Sequence, residues 1–453
     1  MNYNYDIRLR SDKSMKNGGL KKLNVAVFFG GKSVESEVSV ITGNQVLHSL
    51  CKAKYNVIPI YIDKANNFYY SKQFFDINTF RTFAGASHKK GGIKMQQVLL
   101  VKNSPKTNLY VKHKNKLKPL SEIDVAVLAT HGTYVEDGCL QGYLKMLGIP
   151  FTSSDTLGSA LSMDKVVTKK LLKAEGIPVV EYTYFTKAEY SENKQNILEN
   201  RISLDFPLIV KPANLGSSIG ISKCNSAEEL EKAIDVALSF DNKVIVEKAV
   251  SNLIELNCSV KGDSECAQSI QVSDIEQPVS WENFLSFSDK YLSASATAKG
   301  GSADVGVSAR FEKSVGGATG AKESENTPKN AQKHTTMADK VVSNSSGMHS
   351  AKRIFPANIS KEIEDKVKEI SKNAFTLFNC KGVVRIDFLL DTDTNQIYLN
   401  EINTIPGSLA FYLWGKSFSA HLDELITLAI EHTKKHNQKV FEFKSDILAP
   451  SKF

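Results

Sequence analysis

The chain is 453 residues long, too many for a single compact core and enough for two or three domains. Its 42% hydrophobic and 23% charged residues are those of an ordinary soluble globular protein. The net charge of +8 is compatible with an anionic small substrate or a nucleic acid, but on a chain of this length it selects neither.

Residues 1–23 read as a polar arm without the apolar stretch of a secretory signal. NVAVFFGG then predicts a buried strand, Val25 to Phe29, closed by the turn Gly30-Gly31 and followed by a helical stretch. YNVIPIYID predicts a second strand, Tyr55 to Ile62, and DVAVLAT another; LQGYLKMLGIPF predicts a helix stopped by Gly148 and Pro150. Strands alternating with helices imply an open α/β domain over 24–153. LSMDKVVTKKLLKAEGIPVVEY predicts one helix ended by Gly176 and Pro178, and FPLIVK a strand entering PANLGSSIGI. AEELEKAIDVALSF predicts a helix with Ser226 as N-cap and Glu229 completing a capping box, before the strand KVIVEKAV. Residues 154–246 thus read as an α+β lobe.

Residues 247–440 form a third region, interrupted at 293–346 by Gly, Ser, Ala, Thr and Lys with almost no apolar periodicity. That composition predicts a disordered insertion whose excision leaves stability intact. Order resumes after Ser360, where Ile363, Val367, Ile370, Ala374 and Leu377 recur at helical spacing. VVRIDFLL and QIYLNEIN then predict a hairpin across DTDTN, and residues 441–453 a tail. The six cysteines are scattered without a close CxxC pair, which argues against a zinc ribbon or a small disulfide framework. No apolar run approaches the roughly 18 residues of a membrane span, so a cytoplasmic protein is expected.

The hairpin carries the strongest chemical signal. Alternation puts Arg385 and Asp387 on one face of its first strand, and Glu401 and Asn403 on one face of the second. Two carboxylates and an amide oxygen make a hard-oxygen site suited to Mg²⁺ bridging nucleotide phosphates. In IVKPANLGSSIGISK, Lys211 ends a strand before a small-residue loop containing Gly216, Ser217, Ser218 and Gly220, whose backbone N–H groups can approach phosphate oxygens. Lys165 could add a phosphate contact, though alone it reads as a surface lysine. VIVEKAV followed by Glu255 could read an adenine edge and hold ribose hydroxyls. FFGGKSVESEVSV and ATHGTYVEDG each combine a strand end with carboxylates: Glu35 and Glu37 in one, Glu136 and Asp137 in the other. Glu37 reads equally as a helix cap.

In this order the segments resemble the D-alanine–D-alanine ligases of the ATP-grasp superfamily. The resemblance is carried by GGKSVESEVS, HGTYVEDGCLQG, GIPFTSSDTLGSALSMDKVVTKKLLKAEGIPV, FPLIVKPANLGSSIGISK, VIVEKAV, KYLS, VVRIDFLL and IYLNEINTIPG. It runs from Asn24 to about Lys434 outside the insertion. It implies a three-domain ATP-grasp fold, α/β and α+β, with an open α/β N-terminal domain. It also implies an ADP-forming ligase that makes D-alanyl-D-alanine through D-alanyl phosphate, for peptidoglycan precursor synthesis. ATP and Mg²⁺ (or Mn²⁺) would be its cofactors and D-alanine its partner, with no nucleic acid and no membrane; a homodimer is left open. Residue by residue, Lys165 and Lys211 resemble the phosphate-contacting lysines, Glu247 and Val250 the adenine hinge, and Glu255 the ribose carboxylate. Asp387, Glu401 and Asn403 match the metal ligands, and Arg385 with the Gly407 backbone N–H the oxyanion stabilisers. Glu35 resembles the carboxylate that binds the first ammonium, with Ser217 and Tyr291 as its partners and Lys290 beside them on a mobile loop.

Three departures stand out. Val135 replaces a common glycine, the insertion follows KYLS directly, and Tyr412 stands where many members place a serine that helps hold the second substrate's carboxylate. Ser408 could supply that hydroxyl instead. The alternatives are a ligase joining D-alanine to another D-amino acid or hydroxy acid, and a catalytically silent ATP-binding relative. Asp387 and Glu401 are expected to be needed for turnover and not for folding.

Overall fold

The computed structural model describes residues 21–80, 94–103, 106–114, 116–279 and 352–436. Residues 1–20 of the arm, the insertion, the tail, Lys290 and Tyr291 lie outside the described residues, and the arm's last expected residue, Leu23, already opens the first strand.

The first sheet is built from β1 (Leu23–Gly30), β2 (Tyr55–Ile62), β3 (Phe68–Tyr70), β4 (Gln96–Asn103), β5 (Lys106–His113), β6 (Lys116–Ile123) and β7 (Val125–Leu128), in the order β6-β5-β4-β3-β2-β1-β7. β1 pairs in parallel with both β2 and β7, and Val25 through Phe29 are all fully buried, as expected of a strand covered on both faces. Beyond β2 the sheet becomes an antiparallel meander, which the strand–helix alternation did not foretell. Its signal was there: Val98 and Leu100, and Leu109 and Val111, are buried at period two between more exposed neighbours.

α1 (Ser36–Ser49) packs on this sheet and α2 (Cys139–Leu147) ends at Gly148 in the left-handed conformation. Residues from the far end of the chain complete the same core: Val383, Ile405, Leu409 and Leu413, and the face Leu422, Leu425 and Ile426 of the last described helix, Phe418–His436. Val135 is buried there too, so the side chain that replaces the common glycine fills core volume.

The helix expected across LSMDKVVTKKLL is two helices. α3 (Thr156–Met163) stops at Asp164, which leaves the helical region at ψ 103° and caps α4 (Lys165–Ala174) by accepting from Val166 N and Val167 N. The break puts Lys165 at the start of a helix instead of midway along one. β8 (Tyr182–Thr186), β9 (Leu208–Pro212), β10 (Ser222–Cys224) and β11 (Lys243–Lys248) form an antiparallel sheet, order β10-β9-β11-β8. One face, with Phe185, Leu208, Val210, Val244 and Val246, packs on the helix Ala227–Phe240 through Leu230, Ile234 and Ala237. Ser226 caps that helix as expected, but Glu229 accepts from Asn225 N, one residue earlier than a capping box requires. A full box forms instead at Thr186 and Glu189.

The third sheet, order β14-β13-β12-β15-β16, consists of β12 (Leu253–Asp263), β13 (Cys266–Pro278), β14 (Arg353–Ile354), β15 (Lys381–Asp391) and β16 (Gln396–Asn403). The helix Lys361–Leu377 covers one face through Val367, Ile370, Ala374 and Phe375 against Leu256, Cys258, Ile386 and Phe388. Period-two alternation then commits the polar residues of these strands to the opposite face.

Candidate active site

That polar face is ordered in rows. Register pairs Glu276 with Asn257, Asn257 with Asp387, and Asp387 with Glu401, one residue from each of four adjacent strands. The next row holds Ser259, Arg385 and Asn403. Between Glu401 and Leu399 a bulge inserts Asn400, so the core-facing and site-facing sets of β16 both stay in phase with β15. Arg385 grips Asp387 with two parallel bonds, Nε to Oδ1 and Nη2 to Oδ2, each 2.6 Å. Asn403 Nδ2 donates to Asp387 Oδ2 at 3.1 Å, which turns its amide oxygen away from Asp387. The donors are two carboxylates and one amide oxygen, a set that fits a hard divalent cation. A cation at this face would share Asp387 with Arg385.

Three lysines approach the same face. Lys165 Nζ donates to Leu215 O at 2.6 Å and stands 3.6 Å from Glu401 Oε2. Lys211 Nζ donates to Glu247 Oε2 at 2.7 Å and to the bulged Asn400 Oδ1 at 3.2 Å. Lys169 Nζ, wholly buried one turn along α4 from Lys165, lies 3.1 Å from Glu247 Oε1. Burial alone would raise the Glu247 carboxyl; the two lysine charges outweigh it and hold the pKa down to about 2. Burial likewise lowers Lys169, with Glu247 opposing. Two ammonium groups and one carboxylate leave this dry cluster with an excess of one positive charge at the strand end where the glycine-containing loop begins.

Across the cleft, the loop after β1 presents Glu35, buried at the start of α1. Ser217 Oγ donates to Glu35 Oε1. Ser217 and Ser218 both have left-handed backbone (φ 54° and 57°), and Gly216 comes so near that a Cβ there would sit 3.0 Å from Glu35 Oε1. Gly132 closes the other side: at φ +80°, a Cβ would fall 2.1 Å from Ser33 Oγ and 2.8 Å from Glu35 Oε2. Glu136 accepts from Gly132 N at 2.8 Å, and burial, then the Glu35 charge, push its carboxyl up to about 8. Its neighbour Asp137 accepts from Tyr134 N and Cys139 N and so braces the turn that leads into α2. Gly407 opens a buried turn in which Ser408, Leu409 and Ala410 all have positive φ. Ser408 is not available to a ligand, because its hydroxyl donates to Gln45 Oε1 inside the core.

Buried histidines flank the turn. His131 Nε2 meets Thr42 Oγ1 at 2.9 Å, and His421 Nε2 meets Leu409 O at 3.0 Å. Burial lowers them to about 4 and about 3. Their folded pKa values lie below the unfolded 6.5, so their penalty is absent above that pH and grows as pH falls toward the folded values. Each should remove up to about 3 kcal/mol of stability by pH 4. Melting temperatures measured from pH 7.5 to 4.5 should fall along that window, and the fall should be shallower in His421→Gln.

The D-ala D-ala ligase N-terminus family matches residues 24–154, and the D-ala D-ala ligase C-terminus family matches 171–318 and 323–427. The chain belongs to the D-alanine–D-alanine ligase family. It is 37% identical over 429 residues to the D-alanine–D-alanine ligase of Thermosipho melanesiensis, covering 94% of this chain and 98% of that one. The D-alanine–D-alanine ligase of Caldicellulosiruptor bescii is 31% identical, covering 92% and 97%. Among solved structures, the VanG D-Ala:D-Ser ligase from Enterococcus faecalis superposes with a TM-score of 0.64 at 26% identity, covering 90% of this chain and all of that one. The ligase structure from Coxiella burnetii gives 0.65 at 23% identity, covering 92% and 97%, a likeness of fold. The fold is therefore that of the family's ATP-grasp ligases.

Of the residues singled out by sequence, Lys165, Lys211, Arg385, Asp387, Glu401 and Asn403 converge, with Glu35 and Ser217 facing them through the Gly216 loop and Gly407 N-terminal to the turn. Glu247 enters through its carboxylate, since β11 is an interior strand paired on both sides at that residue. Val250 follows β11, and Glu255 lies on β12 in the alternation of Asn257. The sequence reading missed Lys169, Asn400 and His131. Lys169 carried a signal, standing four residues after Lys165 on one helix. A second acidic group, Asp263 and Glu265 with His432, is not a metal centre: Lys381 Nζ already lies 3.2 Å from Glu265 Oε1 and 3.0 Å from His432 Nε2. No described helix is long and apolar enough to cross a membrane.

Proposed function

We propose that the chain joins two D-alanine molecules in an ATP-dependent, ADP-forming reaction that supplies peptidoglycan precursors in the cytoplasm. The observation that carries this reading is the convergence of an oxygen-donor row and a net-positive lysine cluster on one face, with a separately held carboxylate across the cleft from it. The first D-alanine carboxylate attacks the γ-phosphorus of ATP, giving D-alanyl phosphate and ADP. The second D-alanine's amine then attacks the acyl carbon, and phosphate leaves. Mg²⁺ or Mn²⁺ held by Asp387, Glu401 and Asn403 would neutralise charge on the phosphates. Glu35, fixed by the Ser217 hydroxyl, takes the first ammonium. Lys165 and Lys211 reach the phosphates. Glu247 holds Lys211 by one of its three N–H bonds and Asn400 by a second, which leaves the third for a phosphate oxygen. Val250 and Glu255 serve the adenine and ribose, and Arg385 with the Gly407 N–H receives the oxyanion. Excluding water matters throughout, because an acyl phosphate hydrolyses.

Phosphate release should require both ATP and D-alanine, and should fail with L-alanine. Phosphate release independent of amino acid, or robust D-alanyl-D-lactate synthesis at neutral pH, would overturn the assignment. A sharper check lies at Gly132, whose added Cβ has no room beside Ser33 and Glu35. Gly132→Ala should lower kcat/KM for the first D-alanine on the order of a hundredfold, with ATP affinity retained; steady-state kinetics separate the two.

A further inference from the structure

The proposed reaction puts Lys165 and Lys211 on the phosphates and leaves Lys169 without a task. Lys169 follows Lys165 by one helical turn and so shares its face of α4. Val166 packs that helix on Ala213 and Ile245, which sets the Lys169 side chain beside Glu247. Lys169 is wholly buried, so it acts on the cleft by its charge and through its neighbours, not by contact. Its one ion pair among the described residues is with Glu247 Oε1, at 3.1 Å. Lys165 and Lys211 both lie near enough for their charges to oppose its own.

An ammonium group with three donors, buried against one carboxylate oxygen, is a costly arrangement. A methionine would fill much the same volume without that cost. Stability therefore gives no reason for a charge here, whereas the electrostatics of the cleft does. Glu247 already has a partner in Lys211, which donates to Oε2 at 2.7 Å. Were that pair alone, carboxylate and ammonium would cancel, and Lys211 would offer a phosphate little net attraction. Lys169 draws on the other oxygen, and the cluster keeps its excess positive charge. Asn400 Oδ1, the remaining partner of Lys211, is neutral and adds direction without charge.

We infer that Lys169 is a positioning residue for the nucleotide's triphosphate. It divides the Glu247 carboxylate between two lysines, so that Lys211 is aimed by Glu247 without being neutralised by it. This role rests on the proposed ligase reading, which makes the ligand a nucleoside triphosphate. It also accounts for three like charges, Lys165, Lys169 and Lys211, being held close together. Their mutual repulsion is relieved when a polyanion enters, and that relief favours binding.

The test is equilibrium binding of adenosine, ADP and ATP, the nucleotides with Mg²⁺, to the full chain and to its Lys169→Met variant. Removing one buried charge from the cluster should weaken ATP roughly ten- to a hundredfold, ADP less, and adenosine by less than about twofold. The melting temperature of the unliganded variant should stay within about two degrees of wild type or rise, because Glu247 keeps Lys211 and no charge is orphaned. A merely structural lysine gives the opposite pattern, a lower Tm with an equal loss for all three ligands, and that result overturns the role. ATP bound within about twofold of wild type overturns it as well. Wild type that binds the series in order of charge yet forms no dipeptide from D-alanine refutes the ligase reading alone.

Discussion

Glu401→Ala should reduce turnover by at least roughly a thousandfold while the melting temperature stays within about a degree. Glu401 ends the polar row, is partly exposed, and its nearest described cation, Lys165, is held independently by the Leu215 carbonyl. Asp387 is different, and here the structure changes the expectation that neither carboxylate matters to folding. Arg385 is buried and donates both of its parallel bonds to Asp387. Asp387→Ala therefore strands a buried guanidinium, a defect of about 3–5 kcal/mol, as well as losing a metal ligand. Asp387→Asn, which keeps one acceptor, should separate the two losses. Phosphate release and calorimetry on the three variants decide the matter. Near-normal turnover of Glu401→Ala at saturating Mg²⁺ would remove the metal role of this row.

The second large effect is expected at Glu247. Glu247→Ala leaves the Lys169 and Lys211 ammonium groups buried with no counter-charge, a loss of about 3–5 kcal/mol. For a core of this size that corresponds to a fall in melting temperature on the order of 10 °C. Removing one lysine as well should recover part of it: Lys169→Met combined with Glu247→Ala should melt above Glu247→Ala alone, because one uncompensated charge is gone. Equal melting temperatures for wild type and Glu247→Ala would show that the cluster contributes nothing. ATP binding should weaken in both variants, since Lys211 loses the partner that aims it.

Much of this was legible in the sequence because it depends on short-range pattern. Alternation along VVRIDFLL and YLNEIN placed Arg385, Asp387, Glu401 and Asn403 on one face, and register then aligned them. The length and end of the helix after Ser360, and the turn at Gly148, likewise follow from local spacing. What was not legible depends on partners distant in the chain. The carboxylate of Glu247 lies between two lysines from different elements, and nothing in VIVEKAV says so. Asn400 reaches Lys211 only because a bulge adds one residue to β16, and a bulge has no signature in an otherwise regular strand. The helix break at Asp164 could have been read, since an Asp preceding Lys-Val-Val is a good N-cap; apolar residues continuing on both sides concealed it. The row from Glu276 to Glu401 needs four strands in register, two of which the sequence reading did not delineate.

The shared first core sets an order for biosynthesis. Val25, Val27 and Leu128 are made early, yet they are buried together with Leu409, Leu413, Leu422 and Leu425 from the last described stretch of chain. At ~5–20 residues per second, the ribosome needs some tens of seconds to pass from one set to the other. During that interval the parallel strands are a half-covered apolar layer, finished only when the last described helix emerges. The lobe carrying β8 to β11 has a self-contained core and can close meanwhile. The nascent chain therefore matures from the middle outward, and its amino-terminal third keeps an open apolar face until the Phe418–His436 helix has emerged.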